Sequence, residues 1–274
     1  MQVSPALVFP FLILTFTGGA AGASAPGDSS PGAANADVCP VAGITSVAFR
    51  DAVTASSFHA ADGRELILSS VIGPGEDGDI LSADASRAAR DILAFALSGR
   101  HLSIAIAGKP DRYRRIPVQL FADNAWMQEA MVRQGWLRVS ADQQLGACAA
   151  PLLAAENQAI TARAGHWRDG AYRLRTPDQL SGRGGRFETL EGEVWRVRLL
   201  RGAAVIEFAN ASSLQLTVLA PAVRQFRSTR FDIRRLRDRT IRVRGWIGVG
   251  GMPSMEVSNP ALIEIRDNVP PRRR

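Results

Sequence analysis

The sequence contains almost no lysine and little histidine. Of its 33 basic residues, 32 are arginine and only Lys109 is a lysine. The three histidines, His59, His101 and His166, lie more than forty residues apart and do not form the HxH or HxxxH spacing of metal ligands. No glycine-rich segment that ends in Lys-Ser or Lys-Thr is present, which excludes a P-loop for nucleotides. The sequence therefore gives no evidence for a histidine-based metal site or a phosphate loop.

Long hydrophobic runs are also missing. The first 23 residues carry no charged side chain, but the apolar run at 6–16 contains Pro10. This run is shorter than the stretch of about 20 residues that a membrane-spanning helix needs. Ala21 and Ala23 then form the Ala-x-Ala pattern that is typical of a signal-peptide cleavage site. We therefore expect a signal peptide at residues 1–23, a secreted or periplasmic protein, and no transmembrane span in the mature chain.

Cysteine is scarce, with only Cys39 and Cys148 in the chain. In an exported protein two cysteines can form a disulfide, because the compartment is oxidising. The sequence does not fix the distance between them, so two free thiols are the alternative.

The remaining composition is that of an ordinary globular protein, and its charge is unevenly distributed. The 274 residues are 46% hydrophobic and 22% charged, which excludes a disordered or collagen-like chain. Residues 1–185 carry 16 basic and 17 acidic side chains, whereas residues 186–274 carry 17 basic and 9 acidic ones. If the protein has a surface for a polyanion, the charge distribution places it in the last third.

Hydrophobic patterning predicts a β-rich α+β protein with two domains. Strand-like segments at 43–49, 53–60 and 64–72 are followed by a helix from about residue 82 to Gly99, two further strands, and helices at 125–133 and 151–164. A flexible segment at 24–42 precedes this first domain, residues 43–175. The Pro-, Ser-, Gly- and Arg-rich residues 176–185 are predicted as a linker. Residues 186–268 alternate like a small β-rich, OB-like barrel, and 269–274 form a basic tail.

Several motifs in the first domain resemble those of the staphylococcal nuclease-like (thermonuclease) family. They are the Asp-Arg-Tyr-Arg-Arg turn at 111–115, the helix ending in Gln134-Gly135, the Leu-Leu-Ala-Ala-Glu run at 152–156 and Gly165-His166-Trp167. The resemblance covers about residues 44–168. It implies a five-stranded OB-type barrel with a Ca²⁺-dependent phosphodiesterase site. Residues 186–268 resemble an extra domain that follows the nuclease domain in some proteobacterial members.

The sequence departs from the family at the positions that carry catalysis. Aligned with the family motifs, Thr54 and Ser56 replace metal-binding carboxylates and Ile72 replaces a further ligand. Ile67 replaces one catalytic arginine, and Gly75 replaces the general-base glutamate. A one-residue slip would place Glu76 at the glutamate position, with Leu68 and Gly73 at the other two. Of the family's catalytic positions, the second arginine, Arg115, is the one that survives in both registers.

These departures predict that metal-dependent phosphodiester hydrolysis is lost and that no cofactor is bound. Ca²⁺ prefers several oxygen ligands, carboxylates above all, and hydrolysis needs a cation and an activated water. The alternative is a divergent Ca²⁺-dependent phosphodiesterase that uses Arg115 with Glu76, Asp77 and Asp79. The chain is therefore assigned a nuclease fold, with its enzymatic activity left open.

Arginine clusters suggest what the protein binds. Arginine pairs with phosphate in a bidentate manner and stacks on bases, and neighbouring aromatic residues favour single strands. The predicted nucleic-acid surface consists of Arg112, Tyr113, Arg227, Arg230, Arg234, Arg235, Arg242, Arg244 and Trp246. We expect a single-stranded nucleic acid or an anionic envelope polymer as the partner. A solvated charged face on a structural envelope protein is the alternative, and the oligomeric state stays open.

Overall fold

The computed structural model describes residues 39, 42–79, 83–140, 145–209, 211–228 and 232–266, which belong to one compact unit. The predicted signal peptide 1–23, most of the segment 24–42 and the basic tail 269–274 lie outside the described residues. Among the helices of the described ranges, none is long and apolar enough to cross a membrane. The described residues form five α-helices and two large sheets, which confirms the predicted β-rich α+β class.

The first sheet is built from the N-terminal half of the chain. Its strands lie in the order β1-β6-β7-β4-β3-β2, with β8 paired to β7, and β5 and β9 form a separate pair. The strands are β1 (Thr45–Val47), β2 (Phe49–Ala52), β3 (Ser57–Ala60), β4 (Glu65–Leu68), β5 (Val71–Ile72), β6 (Leu102–Ile106), β7 (Ile116–Ala122), β8 (Ala125–Trp126) and β9 (Arg138–Val139).

This sheet closes into the predicted five-stranded barrel. Strands β1 and β2 are separated only by Ala48, yet they pair with opposite ends of the sheet, β1 with β6 and β2 with β3. They therefore act as one bent strand that joins the two edges. Counted with β3, β4, β7 and β6, this makes five strands around a core that includes Phe58, Leu66 and Leu120.

Helices pack around the barrel as the apolar periodicity predicts. They are α1 (Ala83–Leu97), α2 (Met127–Arg133), α3 (Ala149–Ala162) and α4 (His166–Asp169). In α1 the fully buried residues Ala89, Leu93 and Leu97 recur every four positions. Gly135 follows α2 with φ +77°, and a Cβ there would lie 2.2 Å from the carbonyl oxygen of Ala164. Glycine at this motif position therefore lets the ends of α2 and α3 meet.

The second sheet contains the C-terminal half. Its order is β15-β13-β12-β11-β14-β16, with β10 parallel to β11. An isolated bridge between Ile247 and Met255 joins the end of β14 to β15. The elements are β10 (Leu174–Arg175), β11 (Phe187–Leu200), β12 (Ala203–Phe208), β13 (Ala211–Val218), α5 (Ala220–Ser228), β14 (Thr240–Trp246), β15 (Ser254–Val257) and β16 (Ile263–Ile265).

The segment predicted as a linker, 176–185, is packed rather than extended between domains. It contains a 3₁₀ turn, Pro177–Leu180, in which Pro177 and Leu180 are buried and Thr176 forms a capping box with Gln179. Proline, glycine and serine mark this compact turn as readily as they mark a flexible linker.

The predicted disulfide between Cys39 and Cys148 is present in the structure. The two Cα atoms lie 4.6 Å apart, and neither sulfur is free. The bond ties the segment before β1 to the start of α3.

Candidate functional site

The positions that replace the family's metal ligands lie near one another at one end of the barrel. Thr54 and Ser56 form the turn between β2 and β3, and Ile67 in β4 pairs with Ser57 of β3. Ile72 is buried and pairs with Arg138, while Gly75 occupies a turn with φ +83°. The side chains at these positions are hydroxyls and hydrocarbon, and none of them carries a charge.

Glu76 supplies the carboxylate at this place. Its Oε1 accepts hydrogen bonds from Thr54 Oγ1 at 2.5 Å and from Ser56 Oγ at 2.8 Å. Its Oε2 accepts a hydrogen bond from the backbone nitrogen of Gly73 at 2.8 Å. The hydroxyls of Thr54 and Ser57 lie 2.9 Å apart and extend the network. The turn therefore holds Glu76 against Thr54 and Ser56, the two positions aligned with metal-binding carboxylates of the family.

These residues do not fit the Ca²⁺ ion that the family resemblance implies. The Glu76 carboxylate already accepts hydrogen bonds from two hydroxyls and one backbone N–H. A second carboxylate, that of Glu65, contacts these residues through Ser57, whose Oγ donates to Glu65 Oε1 at 3.5 Å. Ca²⁺ requires six to eight oxygen ligands and prefers charged ones. Within the described ranges, no group of three or more His, Cys, Asp or Glu side chains could hold a metal ion. The cluster of Thr54, Ser56, Ser57 and Glu76, called here the hydroxyl–carboxylate cluster, is a hydrogen-bond network in which each hydroxyl already has a partner.

The other acidic residues of this loop bind arginines instead. Asp77 is buried and forms an ion pair with Arg138, whose Nη2 lies 2.6 Å from Asp77 Oδ2. Asp79 pairs with Arg183 at 3.3 Å and Arg186 at 3.1 Å. The alternative prediction that Asp77 and Asp79 join Glu76 in a calcium loop is corrected by these contacts, since both carboxylates are neutralised by guanidinium groups.

Arg115 lies at the start of β7 and is held by its own turn. Its Nε donates to Asp111 Oδ2 at 2.8 Å, and its backbone nitrogen donates to Asp111 Oδ1 at 3.0 Å. Burial alone would raise the pKa of Asp111, but the hydrogen bonds from Arg115 and Tyr113 outweigh it and leave the pKa below its usual range. Tyr113 is 62% exposed. Its ring centroid lies 4.7 Å from the guanidinium carbon of Arg112 and 5.3 Å from that of Arg115. The turn thus presents an exposed cation and an aromatic ring.

The predicted C-terminal arginines divide into an exposed and a buried group. Arg227 on α5 is exposed, as are Arg234 and Arg235 of the 3₁₀ turn Ile233–Leu236. Arg234 forms an ion pair with Asp232 at 2.7 Å. Arg230 lies outside the described residues. The exposed members can reach a ligand in solution.

Arg242 and Arg244 are buried, which corrects their prediction as nucleic-acid ligands. Arg244 is fully buried and contacts Glu156 of α3 at 2.8 Å and Glu264 of β16 at 2.5 Å. Arg242 pairs with Glu191 at 2.7 Å and donates a hydrogen bond to Asn157. Both arginines pair with carboxylates where α3 packs on the second sheet, and their side chains are too buried to contact a phosphate.

The pKa shifts in this arginine–carboxylate network agree with that role. Burial lowers the pKa of Arg242, and Glu191 only partly offsets it. Burial also acts to lower the pKa of Arg244, but the carboxylates of Glu156 and Glu264 have the larger effect and raise this pKa. Burial would raise the pKa of Glu264, but Arg244 outweighs it and keeps the pKa low. Glu156, Glu191 and Glu264 were missed from the sequence, where the only signal was the Leu-Leu-Ala-Ala-Glu motif.

Trp246, the last predicted contact, is 47% exposed at the end of β14. Its ring makes an edge-on contact with Phe187, with centroids 5.8 Å apart. The Trp246 side chain is therefore about half exposed beside the buried Phe187.

Comparison with known families agrees with this architecture. Residues 82–169 match the family model described as staphylococcal nuclease homologue. The match includes Arg115 and the helices α1 to α4, and it begins after the hydroxyl–carboxylate cluster, where the sequence departs from the family. A search of curated proteins found no match to the chain. The resemblance predicted from the motifs is confirmed over residues 82–169, which are similar to a staphylococcal nuclease homologue domain.

Proposed function

We propose that this protein binds a nucleic acid or another polyanion through a nuclease-type domain that has lost metal-dependent hydrolysis. The observation that carries the proposal is the network around Glu76. Its Oε1 is occupied by the hydroxyls of Thr54 and Ser56, at the place where the family resemblance implies a cation.

Phosphodiester hydrolysis makes demands that these residues do not meet. The reaction needs a cation against the developing negative charge, an activated water, and donors to the equatorial oxygens. Ile67 stands where the family has a catalytic arginine, and loss of one such arginine costs about 10³-fold or more in rate. Arg115 alone can attract a phosphate, but it cannot replace the missing groups.

Binding a polyanion requires fewer groups than hydrolysing a phosphodiester, and the groups that binding requires are on the surface. Lys109, Arg112 and Arg114 are exposed in the turn that also presents Tyr113. Arginines attract phosphates, and an exposed aromatic ring offers a stacking face to a base. On the second half of the chain Arg224, Arg227 and Arg235 are exposed. We propose these two groups, the basic turn 109–115 and the α5 region, as the polyanion surface.

Export is part of the proposal. The bond between Cys39 and Cys148 supports an oxidising compartment, because disulfides are rare where glutathione and thioredoxin keep thiols reduced. It favours the secreted or periplasmic location that the uncharged N-terminal segment predicts.

A labelled single-stranded DNA oligonucleotide tests both parts in one titration. Binding is measured by fluorescence anisotropy across a salt series, and the DNA is then run on a gel after incubation with Ca²⁺ or with chelator. We expect affinity that falls steeply with salt, since each phosphate contact adds about 0.7 to the slope for single strands. We expect intact DNA under both conditions.

A triple variant locates the surface. Arg112→Ala, Tyr113→Ala and Arg114→Ala together should weaken binding and lower the salt slope by about 1 to 2. Arg87→Ala is the matched control, because Arg87 is exposed but already paired with Asp84 on α1. Chelator-sensitive cleavage that is lost in Arg115→Ala would instead establish the divergent enzyme. Absence of binding at low salt would leave a structural envelope protein.

A further inference from the structure

A groove on the second sheet has the features of a separate ligand site. The antiparallel bridge between Ile247 and Met255 sets the register of the two segments. Trp246 therefore lies opposite Glu256, and Gly248 lies opposite Ser254. Ile247 and Met255 point into the core, where they are 2% and 1% exposed. Side chains alternate along a strand, so the other four positions face outward together.

The groove is shaped by aromatic and small residues. Its volume is about 420 Å³, and its lining includes Trp246, Glu256, Phe187 and three serines, Ser140, Ser254 and Ser258. The volume lies in the range of about 300–1,000 Å³ that is typical of small-ligand sites. Phe187 supports the indole edge-on and restricts its orientation. A side chain at Gly248 would collide with Ser254, because a Cβ there would lie 2.3 Å from Ser254 Oγ.

The polar groups of this groove are not used by the protein. The Glu256 carboxylate and the hydroxyls of Ser140, Ser254 and Ser258 make no hydrogen bond or ion pair within the part of the chain that the structure describes. Among the described lining residues there is no arginine or lysine. This lining differs sharply from the basic turn 109–115, although both surfaces expose an aromatic ring.

The chemistry of the lining selects one class of ligand. A phosphate would meet the uncompensated carboxylate of Glu256 and no cation, so nucleic acids and anionic polymers are disfavoured here. A neutral ligand with one apolar face and several hydroxyls matches the indole face, the carboxylate acceptor and the serine hydroxyls, which both donate and accept. We propose that the groove binds a neutral carbohydrate, with a sugar ring on Trp246 and a ring hydroxyl donating to Glu256. This binding is independent of the polyanion surface proposed above.

Isothermal titration of the oxidised chain with cellotetraose, maltotetraose and the tetramer of N-acetylglucosamine tests the proposal. We expect at least one of them to bind with a Kd of about 1 mM or tighter. Trp246→Ala should weaken that binding about tenfold or more, and Glu256→Gln should weaken it severalfold. Trp195→Ala is the matched control, because Trp195 is 52% exposed in the same sheet and does not line the groove. It should bind as the unmodified chain does.

The variants are checked for folding before the result is interpreted. Glu256 is exposed and without a described partner, so Glu256→Gln should melt as the unmodified chain does, even if Trp246→Ala loses stability through Phe187. If none of the three sugars binds at concentrations up to about 10 mM, ten times the expected Kd, the proposal is overturned. So would tetramethylammonium binding that Glu256→Gln abolishes, which marks a cation site, or oligonucleotide binding that Trp246→Ala abolishes.

Discussion

Glu76 is a carboxylate whose oxygens are used for hydrogen bonds within its own loop and the neighbouring turn. Three donors converge on it, two hydroxyls on Oε1 and the Gly73 backbone nitrogen on Oε2. Gly73 must stay small for this turn to close, because a Cβ there would lie 2.3 Å from the Cβ of Ala55. The carboxylate thereby fastens the loop after β5 to the turn before β3.

Glu76→Gln should destabilise the protein. An amide has one acceptor oxygen and one donor nitrogen, so it cannot accept on both sides, and at least one donor loses its partner. We expect the free energy of unfolding to fall by about 1–3 kcal/mol, measured by urea denaturation. Asp84→Asn is the control, because the Asp84 side chain is 92% exposed. Equal stability of both variants would show that the network contributes nothing.

The sequence predicts which chemical groups stand at individual positions better than it predicts where those groups lie in the fold. The replacements at Thr54, Ser56, Ile67 and Ile72 can be read from the motifs. The motifs do not show whether the alignment shifts by one residue in this loop, because that depends on hydrogen bonds formed only after folding. Arg244 is harder still, because its partner Glu156 lies 88 residues away in sequence and reaches it only through tertiary packing.

At the scale of elements, the contact of α3 with the second sheet rests on buried charge. Arg244 on β14 faces Glu156 from α3 and Glu264 from β16, and Asn157 donates a hydrogen bond to Glu264 Oε2 at 2.8 Å. A buried ion pair is costly to break from one side, because the remaining charge stays in a low-dielectric interior. Removing either sign should therefore loosen this contact.

Arg244→Met should be among the most damaging single changes in the second sheet. It leaves the fully buried carboxylate of Glu156 without its cation, and we expect a loss of about 3–5 kcal/mol in unfolding free energy. Adding Glu156→Gln and Glu264→Gln to Arg244→Met should recover part of the loss. Thermal and urea unfolding of the single and triple variants measure both effects, and a single variant as stable as the unmodified chain would contradict the assigned contact.

Acid should weaken the same contact through Glu264. Its pKa in the folded protein lies below the ordinary value of 4.5, so the folded state resists protonation. The stabilisation is fully present above that ordinary value and is lost as the pH falls through the lower, folded pKa. Glu264→Gln should therefore be less stable than the unmodified chain at neutral pH, and the difference should shrink in acid. A difference that stays constant from neutral pH to about pH 3 would contradict the assigned pKa shift.

The elements also show where composition misleads. The regular periodicity of α1 and the strand alternation gave correct secondary structure because burial itself has that period. The basic count around Arg242 and Arg244 pointed to a surface, yet both residues face another element. A count of basic residues along the chain does not show that carboxylates from α3 and β16 pack against these arginines.

For the whole molecule, two sheets and a disulfide form one unit. Asp77 binds Arg138, its carbonyl oxygen accepts a hydrogen bond from the Phe187 nitrogen at 2.8 Å, and Arg138 lies over the rings of Tyr172 and Phe187. The loop that carries an active site in the resembled family is here part of the seam between the two halves. The family resemblance implies the barrel, and the sequence leaves the disulfide as one of two alternatives. This seam could not be predicted, since it depends on contacts between residues distant in sequence.

Removing the disulfide should lower stability substantially. Cys39 and Cys148 are separated by 109 positions, and a bond that closes a loop of this size restricts the unfolded chain by about 3–5 kcal/mol. Cys39→Ala with Cys148→Ala should unfold at lower urea concentration by a corresponding amount. Addition of a reductant to the unmodified chain should produce the same shift, and no further shift in the double variant. A reductant that leaves the unmodified chain unchanged would contradict this prediction.

Calcium titration by calorimetry tests most directly whether the hydroxyl–carboxylate cluster has replaced a metal site. We predict no saturable heat from Ca²⁺ up to about 10 mM, which is about tenfold above the Kd of the weakest protein calcium sites. We also predict a melting temperature that Ca²⁺ and chelator leave unchanged. One-to-one binding in the micromolar range that disappears in Glu76→Gln would show instead that Thr54, Ser56 and Glu76 open to hold the ion.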